Sequence, residues 1–319
     1  MARSHKAKWA ALLAVATVAI AASNVGVTFG AFAGQTAASA NVITAMPDFR
    51  GPTISAVAIG KSTGFASGFI RSGGTYYVYA NVTDVGTPPS GVATVRANVT
   101  NVTVGQTAVP LTAGTYSAGG ASYNYRSAQL TAAALPNSTI GFSVTATDAA
   151  SNASLLNGSV TVDSAAPAAS GIAASGGVAS RTDVGDVFAL TTTDTLDSFR
   201  LLANWTGAAT TVQVRLLNQG GGDRLEIRDP TGVTILPFGT ISLGRTDYAT
   251  ATVTFPASTM TQSGNTISIV LGGTMSGTPT TAAGTGTMVW TPSATATDRA
   301  GNAMPTTAFN EPAPVDRDF

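Results

Sequence analysis

Apart from His5 the chain has no histidine, and it has no cysteine, so the groups left for chemistry are carboxylates, amides and hydroxyls. That excludes Ser-His-Asp and Cys-His catalysis, and zinc sites built on imidazole or thiolate. A hydrolase using two carboxylates needs a defined acid pair. Glu occurs only at Glu226 and Glu311, and most Asp residues fall in turn-like sequence. The chain is therefore expected not to be an enzyme. One pattern of oxygen donors recurs. Residues 144–153 read V-T-A-T-D-A-A-S-N-A and residues 293–303 read S-A-T-A-T-D-R-A-G-N-A, so Asp148 and Asn152 return as Asp298 and Asn302. Asp and Asn are hard donors suited to calcium. Asp148 and Asn152, with Asp163 and Asp84 from a neighbouring loop, would form one calcium site; Asp298, Asn302 and Asp316 would form its counterpart. The competing role is Asx-turn closure, in which the side chain bonds its own backbone and no metal is needed. Turn closure is the expected role, calcium is the alternative, and no other cofactor is expected.

These residues must be positioned by strands. The chain is 44% hydrophobic and only 10% charged, with 35 glycines. Val, Ile and Thr dominate its apolar runs, while charged helix formers are scarce. In T-Y-Y-V-Y-A-N-V-T-D, Tyr76, Val78, Ala80 and Val82 alternate with polar or exposed-type positions, which predicts a strand over 75–84 with that set inward. The same alternation predicts strands from Pro52 to Gly60, from Val92 through Val95, Ala97 and Val99, over 122–130, and through Ile140, Phe142, Val144 and Ala146 to Asp148. In the second half it predicts strands over 184–192, 211–217, 223–228, 240–243, 249–255, 266–272 and 285–290. The repeated motif is expected to be the closing strand and turn of each half. Leu196, Phe199 and Leu202 sit at helical spacing, so one helical turn is expected within 195–207. With turn signals between these runs, the pattern is that of an all-β protein of two tandem Greek-key sandwiches. The expected division is a first module over 51–163, a linker or first strand over 164–180, and a second module over 181–319.

The N-terminus carries Arg3, Lys6 and Lys8 without an acid, followed by an apolar stretch from Trp9 to Ala22. This is the layout of an export signal. Ala31-Phe32-Ala33 offers a cleavage site, giving a signal peptide over 1–33 and an extension over 34–50; the alternative is an uncleaved anchor from Trp9 to Ala33, the only expected membrane contact. Cleavage would leave 13 bases against 16 acids. So balanced a surface offers no footprint for nucleic acid, which requires clustered positive charge. Lys61 would be the only remaining lysine and is expected to be a solvated surface residue.

Several stretches resemble bacterial immunoglobulin-like modules of surface proteins: Thr83-Asp84, residues 90–95, Thr145 to Asp148, and the V-D-x-x-A-P junction at 162–167. In the second half G-D-V-F-A-L, N-W-T-G, L-G-R-T-D-Y and W-T-P-S-A-T-A-T-D-R-A-G-N are similar to modules of actinobacterial secreted proteins. There Thr191-Thr192-Thr193-Asp194 stands in place of the usual acidic tail, and no ligand role is assigned to Asp194. Residues 30–45 loosely resemble the precursor region of camelysin-like and biofilm-fibre proteins. The resemblances imply a secreted, non-enzymatic surface or matrix protein that adheres to other surface proteins or glycans, or self-associates through strand donation from residues 34–45. The alternative is a carbohydrate-binding or accessory module, with Trp205, Trp290, Tyr76, Tyr77 and Tyr79 as stacking platforms for sugar rings.

Overall fold

The computed structural model describes residues 48–62 and 64–316, so the leader, its cleavage site, residues 34–47 and Phe319 lie outside the described residues. The first sheet contains β1 (Thr53–Gly60), β2 (Phe69–Ile70), β3 (Thr75–Thr83), β4 (Val92–Asn98), β5 (Val109–Ala118), β6 (Ala121–Ser127), β7 (Leu130–Thr131), β8 (Ser138–Asp148) and β9 (Ala153–Val162). Its order is β1-β3-β6-β5-β4-β8-β9-β2, with β7 added to β3. All its pairs are antiparallel except β2 with β9. β5 folds the sheet into two layers. Its first residues, Val109 and Pro110, pair with β4, whereas Leu111 onward pairs with β6. Between the layers lie Ile59, Tyr76, Val78, Val95, Ala97, Val144 and Val160. The period-2 alternation of β3 and β8 supplies this face, and each fully buried Val or Ile contributes roughly 1.5–3 kcal/mol.

The second sheet contains β10 (Ala169–Ser175), β11 (Val187–Thr192), β12 (Thr210–Leu217), β13 (Arg224–Arg228), β14 (Thr240–Ser242), β15 (Val253–Ser263), β16 (Thr266–Val270), β17 (Val289–Thr291) and β18 (Phe309–Asn310). They run in the order β10-β11-β16-β15-β12-β13-β14-β17-β18. A separate cluster fills this half, centred on Phe188, Val214, Leu216, Phe238, Phe255, Ile269 and Trp290. The expected helical turn is α1 (Ser198–Leu201), capped by Asp197, whose carboxylate accepts from the Phe199 amide. No described helix is long and apolar enough to cross a membrane.

Of the two readings of residues 164–180, a linker or a first strand, the strand is present as β10 from Ala169. Two other expectations change. The repeated motif does not close either half. In the first copy it is the end of β8 and the hairpin turn into β9; in the second the Thr-Ala-Thr-Asp run makes only the isolated bridges Leu196 to Asp298 and Thr297 to Ala303. Strands β5 and β9 were not expected. The half-buried face of β9 includes Ser154 and Gly158, too small to signal a strand, and β5 carries Pro110 and Gly114, which read as breakers.

Candidate cation sites

The topology places one carboxylate at three equivalent points of each half. Asp48 precedes β1, Asp84 follows β3, the partner of β1, and Asp148 ends β8. In the second half Asp163 precedes β10, Asp194 follows β11, the partner of β10, and Asp298 lies in the second motif copy. The result is two triads, Asp48, Asp84 and Asp148, and Asp163, Asp194 and Asp298, each offering carboxylate oxygens all within 4.8 Å of one another. Asp48, Asp148 and Asp298 are buried, and the others are partly exposed.

Each triad is held by its surroundings. The Asp148 carboxylate accepts from the Asn152 amide at 2.7 Å and from Asn152 Nδ2 at 2.8 Å. The Asp298 carboxylate accepts from the amides of Gly301 and Asn302 at 2.7 and 2.9 Å and from Asn302 Nδ2 at 2.8 Å. Each asparagine also donates to the backbone oxygen of the first acid of its triad, Asn152 to Asp48 at 3.2 Å and Asn302 to Asp163 at 3.0 Å. The turn-closing role of Asp148 and Asp298 is thus present, and Asn152 and Asn302 tie the turn to the strand entry with their amide nitrogens. Asp48 accepts from Arg50 and Ser90, and a Cβ on Gly86 would stand 2.2 Å from the Asp48 carboxyl, so that loop approaches this closely only as glycine.

The sites differ from the sequence expectation in membership. Asp163 belongs with Asp298 rather than with Asp148. Asp316 stands apart, its carboxylate accepting from the Ala174 amide at 2.5 Å. Asp48 and Asp194 were missed. A signal for one of them existed, because Asp48 and Pro52 share the Asp-x-x-x-Pro spacing of Asp163 and Pro167, each just ahead of the first strand of its half.

Three carboxylates this close repel one another unless a proton, a donor or a cation intervenes. Burial pushes the Asp194 carboxyl up, with the charges of Asp163 and Asp298 adding to it, and burial pushes Asp298 up as well. In the first triad the Arg50 amide holds Asp48 below the ordinary carboxylate range. Oxygens within 4.8 Å of one another fit the shell of a hard divalent ion, whose calcium–oxygen distances are about 2.3–2.6 Å. The donor set is all oxygen, so it suits calcium rather than a thiophilic metal.

The second copy has glycine at the position before its asparagine, and the first has serine. Gly301 has φ 91° and Ser151 φ 71°, so both adopt the left-handed conformation. Only glycine does so without steric cost. Ser151→Gly is accordingly expected to stabilise the chain by about 1 kcal/mol. A chemical denaturation midpoint that is unchanged or lowered would refute the strain at this turn.

Two other sequence expectations meet the structure here. Trp205, Trp290, Tyr76 and Tyr79 are buried, which leaves Tyr77 alone of the five rings with partial exposure. They form core and do not make a sugar platform. Lys61 is partly buried rather than solvated, with Nζ donating to the carbonyls of Arg299 and, at 3.4 Å, Phe69. Burial lowers its ammonium to about 8 against the pull of Asp197 and Asp298.

No family model matches the chain, and no curated protein matches it. Among solved structures it is similar to "Chimeric titin Z1Z2 functionalized with a KLER exogenous peptide from decorin", at 15% identity over 82% of this chain and 95% of that one, with a TM-score of 0.28. A likeness at that level carries no argument, and the all-β architecture rests on the strands described above.

Proposed function

We propose that the chain is a non-enzymatic, exported structural or adhesive protein of a bacterial surface or matrix, built from two immunoglobulin-like modules that calcium stiffens at their strand entries. The observation carrying this reading is the recurrence of a carboxylate triad at the same topological place in both halves. A bound ion would join the segment entering each half to the end of the strand paired with the first and to the motif turn, fixing three loops that otherwise carry like charges. Such a protein works passively, by presenting rigid sandwiches whose edges or loops meet surface proteins, glycans or further copies of itself. Self-association is supported by β4, which pairs with β5 only at Arg96 and Ala97. Its residues 92–95 face a cleft shared with Leu111, Ala113 and Tyr125, open to an added strand.

The test uses protein lacking residues 1–33, stripped with chelator. Calcium at one hundred times its dissociation constant should stabilise a single site by about 2.7 kcal/mol, so the melting midpoint is expected to rise by about 5 °C or more. Magnesium at the same concentration should do less, because it demands a tighter octahedral shell. No shift with calcium sinks the cation reading. Sedimentation velocity on the same samples tests association, and a monomer at every concentration counts against it.

A further inference from the structure

Lys and Arg are sparse in this chain, with 16 in all and 13 after residue 33. Four of them nevertheless converge where residues 61–75 meet residues 197–301: Lys61, Arg71, Arg200 and Arg299. None of the four has a carboxylate within ion-pair distance among the described residues, whose ion pairs are Arg181 with Asp183, Arg228 with Glu226 and Arg245 with Asp247. Three of them lie over aromatic rings instead, and Lys61 also donates to carbonyls. Lys61 Nζ stands 5.0 Å and the Arg200 guanidinium 4.7 Å from the centre of the Phe65 ring, and Arg299 lies 4.1 Å from that of Phe69.

Lys61, Arg71 and Arg200 line a recess of about 200 Å³ together with Thr75, Thr297 and Gly301. The nearest carboxylates, Asp197 and Asp298, attract Lys61 without forming an ion pair, and their oxygens take their hydrogen bonds from other groups. Asp197 accepts from the Ala66 amide at 3.0 Å and from Phe199 at 3.1 Å, and Asp298 is taken up by its turn.

We infer that this recess binds a tetrahedral oxyanion, a phosphate or sulfate group, held between Arg71 and Arg200 with Lys61 at its floor. Guanidinium groups bind such oxyanions through paired N–H donors. A neutral sugar would leave the cations unpaired, and an extended chain does not fit so small a volume. Because Arg71 comes from the first half and Arg200 and Thr297 from the second, the anion would bridge the two halves. The recess uses no triad carboxylate as a ligand, although Thr297 and Gly301 belong to the turn that holds Asp298.

The test titrates 15N-labelled protein lacking residues 1–33 with inorganic phosphate, with sulfate and with chloride at matched ionic strength. Saturable shifts of the Gly74, Thr75 and Gly301 amides are expected with phosphate and sulfate and not with chloride. Arg71→Gln with Arg200→Gln, both on exposed side chains, should weaken that binding at least about tenfold, since each replaces a charge-assisted donor pair. Circular dichroism establishes that the variant is folded, and the single variant Arg96→Gln, outside the recess, should bind like the parent. Equal response to chloride, or binding retained in the double variant, overturns the site. If phosphate and sulfate both bind, a phosphate-bearing and a sulfate-bearing polysaccharide compared at equal charge identify which source the recess prefers.

Discussion

Asp298→Ala is expected to lower the unfolding free energy by about 2–4 kcal/mol, because it removes the acceptor of three hydrogen bonds in a buried turn and leaves the Asn302 backbone amide without one. Asp148→Ala should cost less, since its carboxylate accepts from only one backbone amide besides Asn152 Nδ2. Asp194→Ala should go the other way in chelated protein. Asp194 accepts from its neighbour Thr195 but stands among like charges, so its removal relieves repulsion and leaves little unpaired. In calcium Asp194→Ala becomes destabilising instead, because it would forfeit the ion's stabilisation of the second triad. Urea denaturation of the three variants with and without calcium reads all of this. Equal losses for Asp298 and Asp148 would show that the extra Gly301 bond contributes nothing. An Asp194→Ala variant whose calcium response equals the parent's would remove that residue from the site.

Strands were legible wherever one face was uniformly apolar. β3 and β8 carry Val, Ala and aromatic residues at every second position, and that alternation survives in any register. β9 escaped because its inward face includes Ser154 and Gly158, where Gly158 leaves room for the Phe142 ring: a Cβ there would sit 2.6 Å from it. The triads were half legible. The motif pairs could be found because each is local, with Asp and Asn four residues apart. Asp84 was included as a loop neighbour, but Asp48 and Asp194 reach the cluster only through strand pairing, β1 with β3 and β10 with β11, which a linear reading does not supply. Asp163 was misplaced for a related reason. It follows β9 directly in the chain, yet in space it is the entry to β10, so its oxygens face the second triad. Lys61 illustrates the same limit: its isolation in sequence argues for a solvated side chain, whereas its contact with Arg299 is 238 residues away.

Trp290→Ala is expected to have the largest effect of any single substitution considered, about 3–5 kcal/mol and on the order of 10 °C in melting midpoint. The ring is 1% exposed and sits where β14, β17 and β18 meet, paired across the sheet with Ile241 and Phe309. Its Nε1 donates to the Phe238 carbonyl at 2.7 Å, so truncation leaves both a cavity and an unpaired buried oxygen. Trp290→Phe separates the two losses: it retains most of the volume but not the donor, and should cost roughly half as much. The same variants decide between core and sugar platform. A stacking tryptophan at the surface is removed with little change in stability and a loss of glycan affinity, the opposite of what burial at this position dictates. The consequence extends to the second triad, because β17 leads through Pro292 into the turn that holds Asp298. Loosening β17 should therefore blunt the calcium response in Trp290→Ala more than in Trp290→Phe, measured as the midpoint shift on adding the ion. An undiminished response in both would mean that the turn is held by Asn302 and Asp163 alone, without help from the strand that delivers it.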